Sequence, residues 1–283
     1  MHVKYSIIIP TLANHKFFYD CLLSIYNNSS NYSEIIIAYN GESKFLSEIK
    51  KNIIKYRFDE RVVLKQFTVY GGIAKTCNEA YKVSKGMYIC YIHDNVMIFE
   101  KGWEDKLSKI LDIYSDIGMI GGSEPKYVDN DPSKADKRII FKNEFIVECD
   151  WSHTISMTKR EYMDKGLLFD EFYLCGLEDK DWAISFRRLG KKVYFYPIKH
   201  KHIGNQGSYS LFKENINFLS YYSKEGPRER YFLNKNKDIL KKEYYENEFN
   251  KWKNMDINIK KSWWKKLYIK YYLNKIKKII KFK

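Results

Sequence analysis

Apolar residues fall in short runs separated by helix-spaced segments along most of the first two hundred positions. Tyr5 to Ile9 is a mostly apolar run stopped by Pro10-Thr11, and Phe18, Leu22, Leu23 and Ile25 then recur at helical spacing between Phe17 and Tyr26. Glu34 to Ala38 reads as a second strand, 43–55 as a helix and Val62 to Val69 as a third strand. A small-residue turn at Gly71-Gly72 opens another helical segment, Lys85-Gly86 ends it, and Met87 to Ile92 is an apolar strand. Gly102-Trp103 leads into a helix through Tyr114, and Ile117 to Ile120 is a short strand before Gly121-Gly122. Strands alternating with helices predict an α/β domain built on a parallel sheet, with any ligand at the carboxyl edge of the strands.

Between Ser123 and Lys142 the periodicity dissolves into Pro, Asp, Asn and Lys, which predicts a surface loop able to lie over a bound ligand. Pattern returns with a strand-like Thr154–Met157, an amphipathic helix from Trp182 to Leu189 and a strand from Lys192 to Tyr196. Beyond Ser210 the chain becomes helical and charged. On a helical wheel of the last segment, Trp264, Tyr268, Tyr271, Tyr272, Ile276 and Ile279 share one face, with Lys266, Lys270, Lys277 and Lys281 opposite. A helix of that kind suits an anionic membrane surface, although packing on its own domain or a disordered basic tail accounts for the same pattern.

Two clusters carry candidate chemistry. His93-Asp94-Asn95 ends the apolar strand abruptly, at the sheet edge where ligands collect. By itself the triplet reads equally as a metal-capable site or as a turn and helix cap. Glu178-Asp179 stands at the start of an amphipathic segment, where carboxylates stabilise the positive end of a helix; the same pair would also serve as a general base and its positioner. His200 and His202 lie in a Lys-rich loop.

The block Gly71–Val96 resembles the middle of a family 2 glycosyltransferase, a nucleotide-sugar enzyme of the GT-A fold. Ala74 and Asn78 match the small residues and Asn that precede the family's Gly-aromatic-apolar strand, and His93-Asp94-Asn95 takes the place of its Asp-x-Asp motif. The run Ser6 to Thr11 is similar to the opening strand. Tyr39-Asn40-Gly41 occupies the base-binding turn, with Tyr39 replacing the usual Asp; Tyr39 could stack on a base there, while the turn taken alone favours an ordinary Asn-Gly turn with Tyr39 as an edge residue. Glu178 through Gly190 is similar to the acidic pair followed by a helix ending Arg-x-x-Gly, and His202 falls where members often carry a His.

The resemblance implies a GT-A catalytic domain over 1–208, with a donor half of about 1–122 and an acceptor half of about 145–208, then a helical buttress over 209–257 and a basic tail over 258–283. It implies an inverting transfer of sugar from a nucleotide-diphosphate donor to a surface-glycan or lipid-linked acceptor. Asp179 would be the base and Glu178 would bind the acceptor. Pro10, Thr11, Tyr39, Asn40, Asn78, His93 and Asp94 would bind the donor, and Asp94, Asn95 and His202 would hold Mn²⁺ or Mg²⁺. Asn95 stands where the family's last carboxylate does, which also leaves room for a metal-free site that stabilises the diphosphate with cationic side chains. A rival reading keeps the fold and drops catalysis, leaving a nucleotide-sugar or glycan-binding protein.

Composition narrows the setting. The net charge is +15, but 258–283 holds ten Lys and no acidic residue, so the remainder is only modestly basic. No recognition motif for nucleic acid accompanies that charge. The five cysteines, at 21, 77, 90, 149 and 175, form no Cys-x-x-Cys and are odd in number, which predicts neither a disulfide framework nor a zinc site and fits a reducing compartment. The opening residues lack signal-peptide zones, and no apolar stretch approaches the roughly 18 residues that span a bilayer. A cytoplasmic protein, peripheral at the inner membrane face, is expected.

Overall fold

The computed structural model describes residues 3–13, 17–69, 71–123, 125–126, 138–141, 144–152, 154–203 and 227–240. The chain divides into two units, Met1–Lys213 and Glu214–Lys283.

In the first unit, strand β1 (Tyr5–Thr11) is followed by helix α1 (Phe18–Asn28), β2 (Ser33–Tyr39), a short 3-10 turn (Ser43–Phe45), α2 (Leu46–Lys55) and β3 (Val62–Gln66). Then come α3 (Ile73–Val83), β4 (Tyr88–Ile92), β5 (Val96–Ile98), α4 (Trp103–Ile113), β6 (Ile117–Gly121) and β7 (Pro125–Lys126). The unit continues through β8 (Arg138–Phe141), β9 (Glu144–Glu148), β10 (Trp151–Ser152), β11 (Ile155–Lys159), α5 (Arg160–Asp164), α6 (Glu178–Arg188), β12 (Lys192–Phe195) and β13 (His200–His202). Of the second unit, 227–240 is described and carries α7 (Pro227–Asn236).

Nine strands form one sheet in the order β3-β2-β1-β4-β11-β6-β12-β9-β8. The first four are mutually parallel, in keeping with the alternating pattern, and every residue of β1, β2 and β4 is buried, as strands covered on both faces must be. Strand β11 enters antiparallel between β4 and β6, which makes the sheet mixed. Pro10 and Thr11 belong to β1, although the sequence places the stop at Ile9. Pairing with β2 continues to Thr11↔Tyr39, while pairing with β4 ends at Ile8↔Tyr91, so the prolyl nitrogen lies beyond the two-sided ladder.

One core packs Ile7, Ile9, Phe18, Leu22, Cys90, Ile92, Trp103 and Leu107 on a single face of the sheet. On β4, Tyr88, Cys90 and Ile92 join this cluster, and Tyr91 alternates to the other face, where it meets Phe169 and Trp182. Burial of each such side chain contributes about 1.5–3 kcal/mol. A buried polar clamp sets the height of β4 against β1. Ser6 Oγ donates to Glu34 Oε1 (2.5 Å), which also accepts the Lys85 N–H, and the Gly86 N–H donates to Ser6 Oγ (2.7 Å). A Cβ at Gly86 would lie 2.5 Å from Ser6 N, so only glycine permits this approach.

Three local expectations are corrected. Residues 123–142, expected as a loop, hold β7 and β8, whose partners β10 and β9 come later in the chain; pairing at a distance, invisible to local periodicity, makes them strands. Helix α6 begins at Glu178, not Trp182, because Gly176 (φ 75°) and Leu177 (φ 71°) turn the chain left-handed just before it. His200-Lys201-His202 is strand β13 rather than loop, paired antiparallel with β5.

Candidate active site

The carboxyl end of β4 delivers His93-Asp94-Asn95 beside the end of β1. Thr11 Oγ1 donates to Asp94 Oδ2 (2.7 Å) and itself accepts the Ala13 N–H (2.8 Å), so a buried hydroxyl holds the Asp94 carboxylate. The β5–β13 pairing then folds a remote segment onto the triplet, with His202 opposite Val96. Ile203 N–H donates to Asn95 O (2.8 Å), Asn95 Nδ2 donates to Ile203 O (3.2 Å), and the His93 and His202 rings lie 6.3 Å apart between centroids. His93 N–H donates to Thr154 O (3.0 Å) at the start of β11.

Asn95 Oδ1 is buried and has no hydrogen-bond partner. A buried acceptor without a donor is costly, and it fits a site completed by a cation or ligand. Among the described residues no three His, Cys, Asp or Glu side chains converge to hold a metal by themselves. The triplet itself offers one imidazole, one carboxylate and one amide oxygen, and His93, Asp94 and His202 are not gathered into a three-ligand set.

The acidic pair is set by the left-handed Gly176-Leu177 turn. A non-glycine residue at φ 71° is uncommon, and here it starts α6 at Glu178, placing Glu178 and Asp179, with Asp181, in the first turn at the positive end of the helix. Asp179 Oδ1 accepts the Lys180 N–H (2.8 Å). Asp181 is fully buried, accepts from Tyr173 Oη (3.3 Å) and donates its N–H to Leu177 O (2.9 Å), which makes it a helix-start residue. Trp182 Nε1 donates to Leu167 O (2.8 Å), fixing the helix against the preceding loop.

One pocket is lined by residues of both clusters, His93 from the first and Glu178 and Asp179 from the second, while Asp94, Asn95 and His202 are not in its lining. Its lining includes Pro10, Ile73, Cys77, Tyr91, His93, Ser156, Phe169, Glu178, Asp179 and Trp182. Residues 93 and 179, 86 positions apart, thus share a cavity. Cys77 is no nucleophile there, since burial pushes its thiol well above the ordinary range.

Other predicted donor residues have different placements. Tyr39 is fully buried, donates from Oη to Glu42 O (2.9 Å) and lies under Gly41, where a Cβ would meet its hydroxyl at 2.4 Å. Its ring presents no face for stacking on a base, contrary to expectation; the hydroxyl holds the turn instead. Asn40 is buried beside it and donates its N–H to Thr11 O (3.1 Å). The Asn78 amide is engaged by the 169–171 loop, donating to Phe169 O (2.8 Å) and Glu171 Oε1 (3.2 Å) and accepting the Phe169 N–H (3.0 Å). Its part is to anchor the pocket wall. Tyr91, Ser156, Phe169 and Trp182 were not singled out by sequence, because each is an ordinary apolar or small residue within its own element.

Residues 34–141 match a family model described as "Glycosyltransferase like family". No curated protein matches the chain significantly. Among solved structures, the mannosyltransferase PcManGT from Pyrobaculum calidifontis, in complex with GDP-Man and Mn²⁺, superposes with a TM-score of 0.55 at 15% identity, covering 70% of this chain and 55% of that one. GalNAc-T7 with UDP, GalNAc and Mn²⁺ gives 0.55 at 12% identity, over 71% of this chain and 43% of that one. TarS 1-349 from S. aureus, in complex with UDP-GlcNAc, gives 0.54 at 15% identity, over 89% and 72%. The chain spans about half the length of the first and less than half of the second. The shared fold is that of the GT-A glycosyltransferases.

Proposed function

We propose that this chain, with a glycosyltransferase-like domain on a GT-A fold, transfers a sugar with inversion from a nucleoside-diphosphate donor to an acceptor hydroxyl. The observation that carries this reading is a pocket whose lining includes His93 together with Glu178 and Asp179. A donor whose diphosphate lies at the end of β4 has its sugar between those groups.

Asp179 then accepts the proton of the acceptor hydroxyl as that oxygen attacks the anomeric carbon, the bond from that carbon to the diphosphate oxygen breaks, and the nucleoside diphosphate departs. Glu178 positions the acceptor. Asp94, held by Thr11, together with Asn95, His202 and His93, faces the diphosphate; a divalent cation, when bound there, supplies positive charge to the leaving group. The complexes of similar structures with Mn²⁺ and with nucleotide sugars support both the cation and the donor class. The acceptor we favour is a surface glycan or lipid-linked sugar at the inner face of the cell membrane, on the strength of the Trp- and Lys-rich sequence of 258–283, which lies outside the described residues along with the rest of the proposed tail. Among the described residues no helix is long and apolar enough to cross a membrane.

The test is release of nucleoside diphosphate from a panel of UDP- and GDP-sugars, with and without Mn²⁺, by the full chain. Turnover of one donor, reduced on the order of 10²–10⁴-fold in Asp179→Asn with donor affinity retained, is the expected result. Donor binding without turnover under any condition supports the non-catalytic rival, and undiminished turnover in Asp179→Asn removes that residue as the base.

A further inference from the structure

Lys180 is a lysine drawn inside the protein. It is 8% exposed, whereas lysine is almost never buried unless its charge has a partner. Here the ammonium lies over the ring of Trp151, 4.4 Å from the centroid, within the range of a cation–π contact. Trp151 is itself fixed. It belongs to β10, pairs with Lys126 of β7, and follows Asp150, whose carboxylate forms an ion pair with Arg187 of α6 (3.1 Å). Lys180 and Arg187 stand seven positions apart, two turns along one face of the helix, so residues 150 and 151 grip that face at two points.

The pocket lies on another side of the same turn. Glu178, Asp179 and Trp182 line it and Lys180 does not. Yet the backbone of Lys180 is bonded to the proposed base, its N–H donating to Asp179 Oδ1 (2.8 Å). The turn also concentrates like charge, with Glu178, Asp179 and Asp181 beside the buried ammonium, and a nearby cation favours the charged form of a carboxyl. The other titratable groups around it are Tyr173, which donates to Asp181, Asp150 and Arg187 behind the helix, and Cys77 and His93 across the pocket.

We infer that Lys180, seated on Trp151, is a positioning residue for Asp179: it pins the first turn of α6 from behind, and its cation keeps the Asp179 carboxylate ionised and ready to accept a proton. This rests on the glycosyltransferase reading above, in which Asp179 is the base. Lys180 acts only through its neighbour. A surface lysine on a flexible stem would hold no such geometry, whereas an ammonium seated on a ring does.

The experiment follows nucleoside diphosphate release by the full chain across pH, with the donor that wild type turns over. It compares wild type, Lys180→Met, Lys180→Arg, Trp151→Leu and the double variant Lys180→Met/Trp151→Leu, with the thermal midpoint of each. Methionine keeps most of the stem and removes the charge. Lys180→Met is expected to lower kcat about 10- to 100-fold while donor KM stays within about twofold of wild type. The acidic limb of its kcat/KM profile moves to higher pH, because a carboxyl without the neighbouring cation keeps its proton longer. Lys180→Arg, whose guanidinium also stacks on tryptophan, keeps the wild-type limb and most of kcat. Trp151→Leu lowers kcat, and the double variant is no slower than the slower single variant, as a shared interaction requires. An acidic limb that stays in place in Lys180→Met overturns the inference whatever happens to kcat and the midpoint, for it marks Lys180 as packing alone. Losses that add in full in the double variant overturn it as well. Wild type that releases no nucleoside diphosphate from any donor fails the broader reading and this inference with it, whereas an active wild type with an indifferent Lys180→Met fails this inference alone.

Discussion

Gly72→Ala tests whether the loop that carries Phe169 in the pocket wall is locked to helix α3 through one glycine. Gly72 has φ 88° and ψ 167°, a backbone region that essentially only glycine enters, at a cost of about 1–3 kcal/mol for another residue. A Cβ there would sit 2.6 Å from Leu174 Cα and 2.7 Å from its carbonyl oxygen. Both are backbone atoms, so no rotamer change relieves the clash; the loop must retreat by about 0.8 Å to reach the 3.4 Å of ordinary contact. That retreat stretches the bond in which Ile73 N–H donates to Leu174 O (2.7 Å), a net contribution of about 0.5–1.5 kcal/mol. The combined destabilisation is about 2–4 kcal/mol. At 2–4 °C per kcal/mol for a domain of 150–250 residues, the thermal midpoint should fall by roughly 4–16 °C.

Gly166→Ala is the control, because Gly166 is also left-handed (φ 91°) but has nothing within 4 Å of its would-be Cβ. It carries backbone strain alone, about 1–2 kcal/mol. Thermal unfolding followed by tryptophan fluorescence suits both variants, since Trp103 and Trp182 are fully buried. A midpoint for Gly72→Ala no lower than that for Gly166→Ala would refute the argument that the backbone clash with Leu174 matters. Because Phe169 and Tyr173 belong to the displaced segment, Gly72→Ala should also weaken donor use at temperatures where the protein remains folded.

Two further predictions follow from buried carboxyls and amides. Asn95→Asp puts a second carboxylate beside Asp94 and should tighten Mn²⁺ binding on the order of 10-fold in a calorimetric titration, while costing about 1–2 kcal/mol of stability through the lost Asn95 Nδ2 to Ile203 O bond; unchanged Mn²⁺ affinity would exclude position 95 as a ligand. Glu104 is fully buried at the start of α4, and burial raises its carboxyl above the ordinary 4.5 against the opposing donors Ser30 N–H and Ser33 Oγ. The folded chain therefore binds this proton more tightly than the unfolded one, so its contribution is full below pH 4.5 and is lost as pH rises through the folded value. Glu104→Gln should flatten that part of the stability profile, and a wild-type minus variant difference that does not change with pH above 4.5 would contradict the assignment.

The amino-acid sequence determined the parallel half of the sheet and both chemical clusters. Continuous apolar runs such as Tyr88–Ile92 must be covered on both faces, and an abrupt polar triplet after such a run must emerge at the strand's carboxyl edge. The acidic pair was legible for a similar reason, since carboxylates before an amphipathic run mark a helix start. Tertiary structure alone decided what those clusters could do. His202 reaches the triplet only because β13 pairs with β5, and local periodicity contains no record of a partner a hundred residues away. Tyr39 and Asn78 look like ligand-binding residues in sequence, yet their polar atoms are taken by Glu42 and by the Phe169–Glu171 loop, a competition that exists only after folding. In the sequence Tyr91 is one more aromatic residue in a buried strand, and its unmatched hydroxyl becomes visible only when its neighbours have been placed.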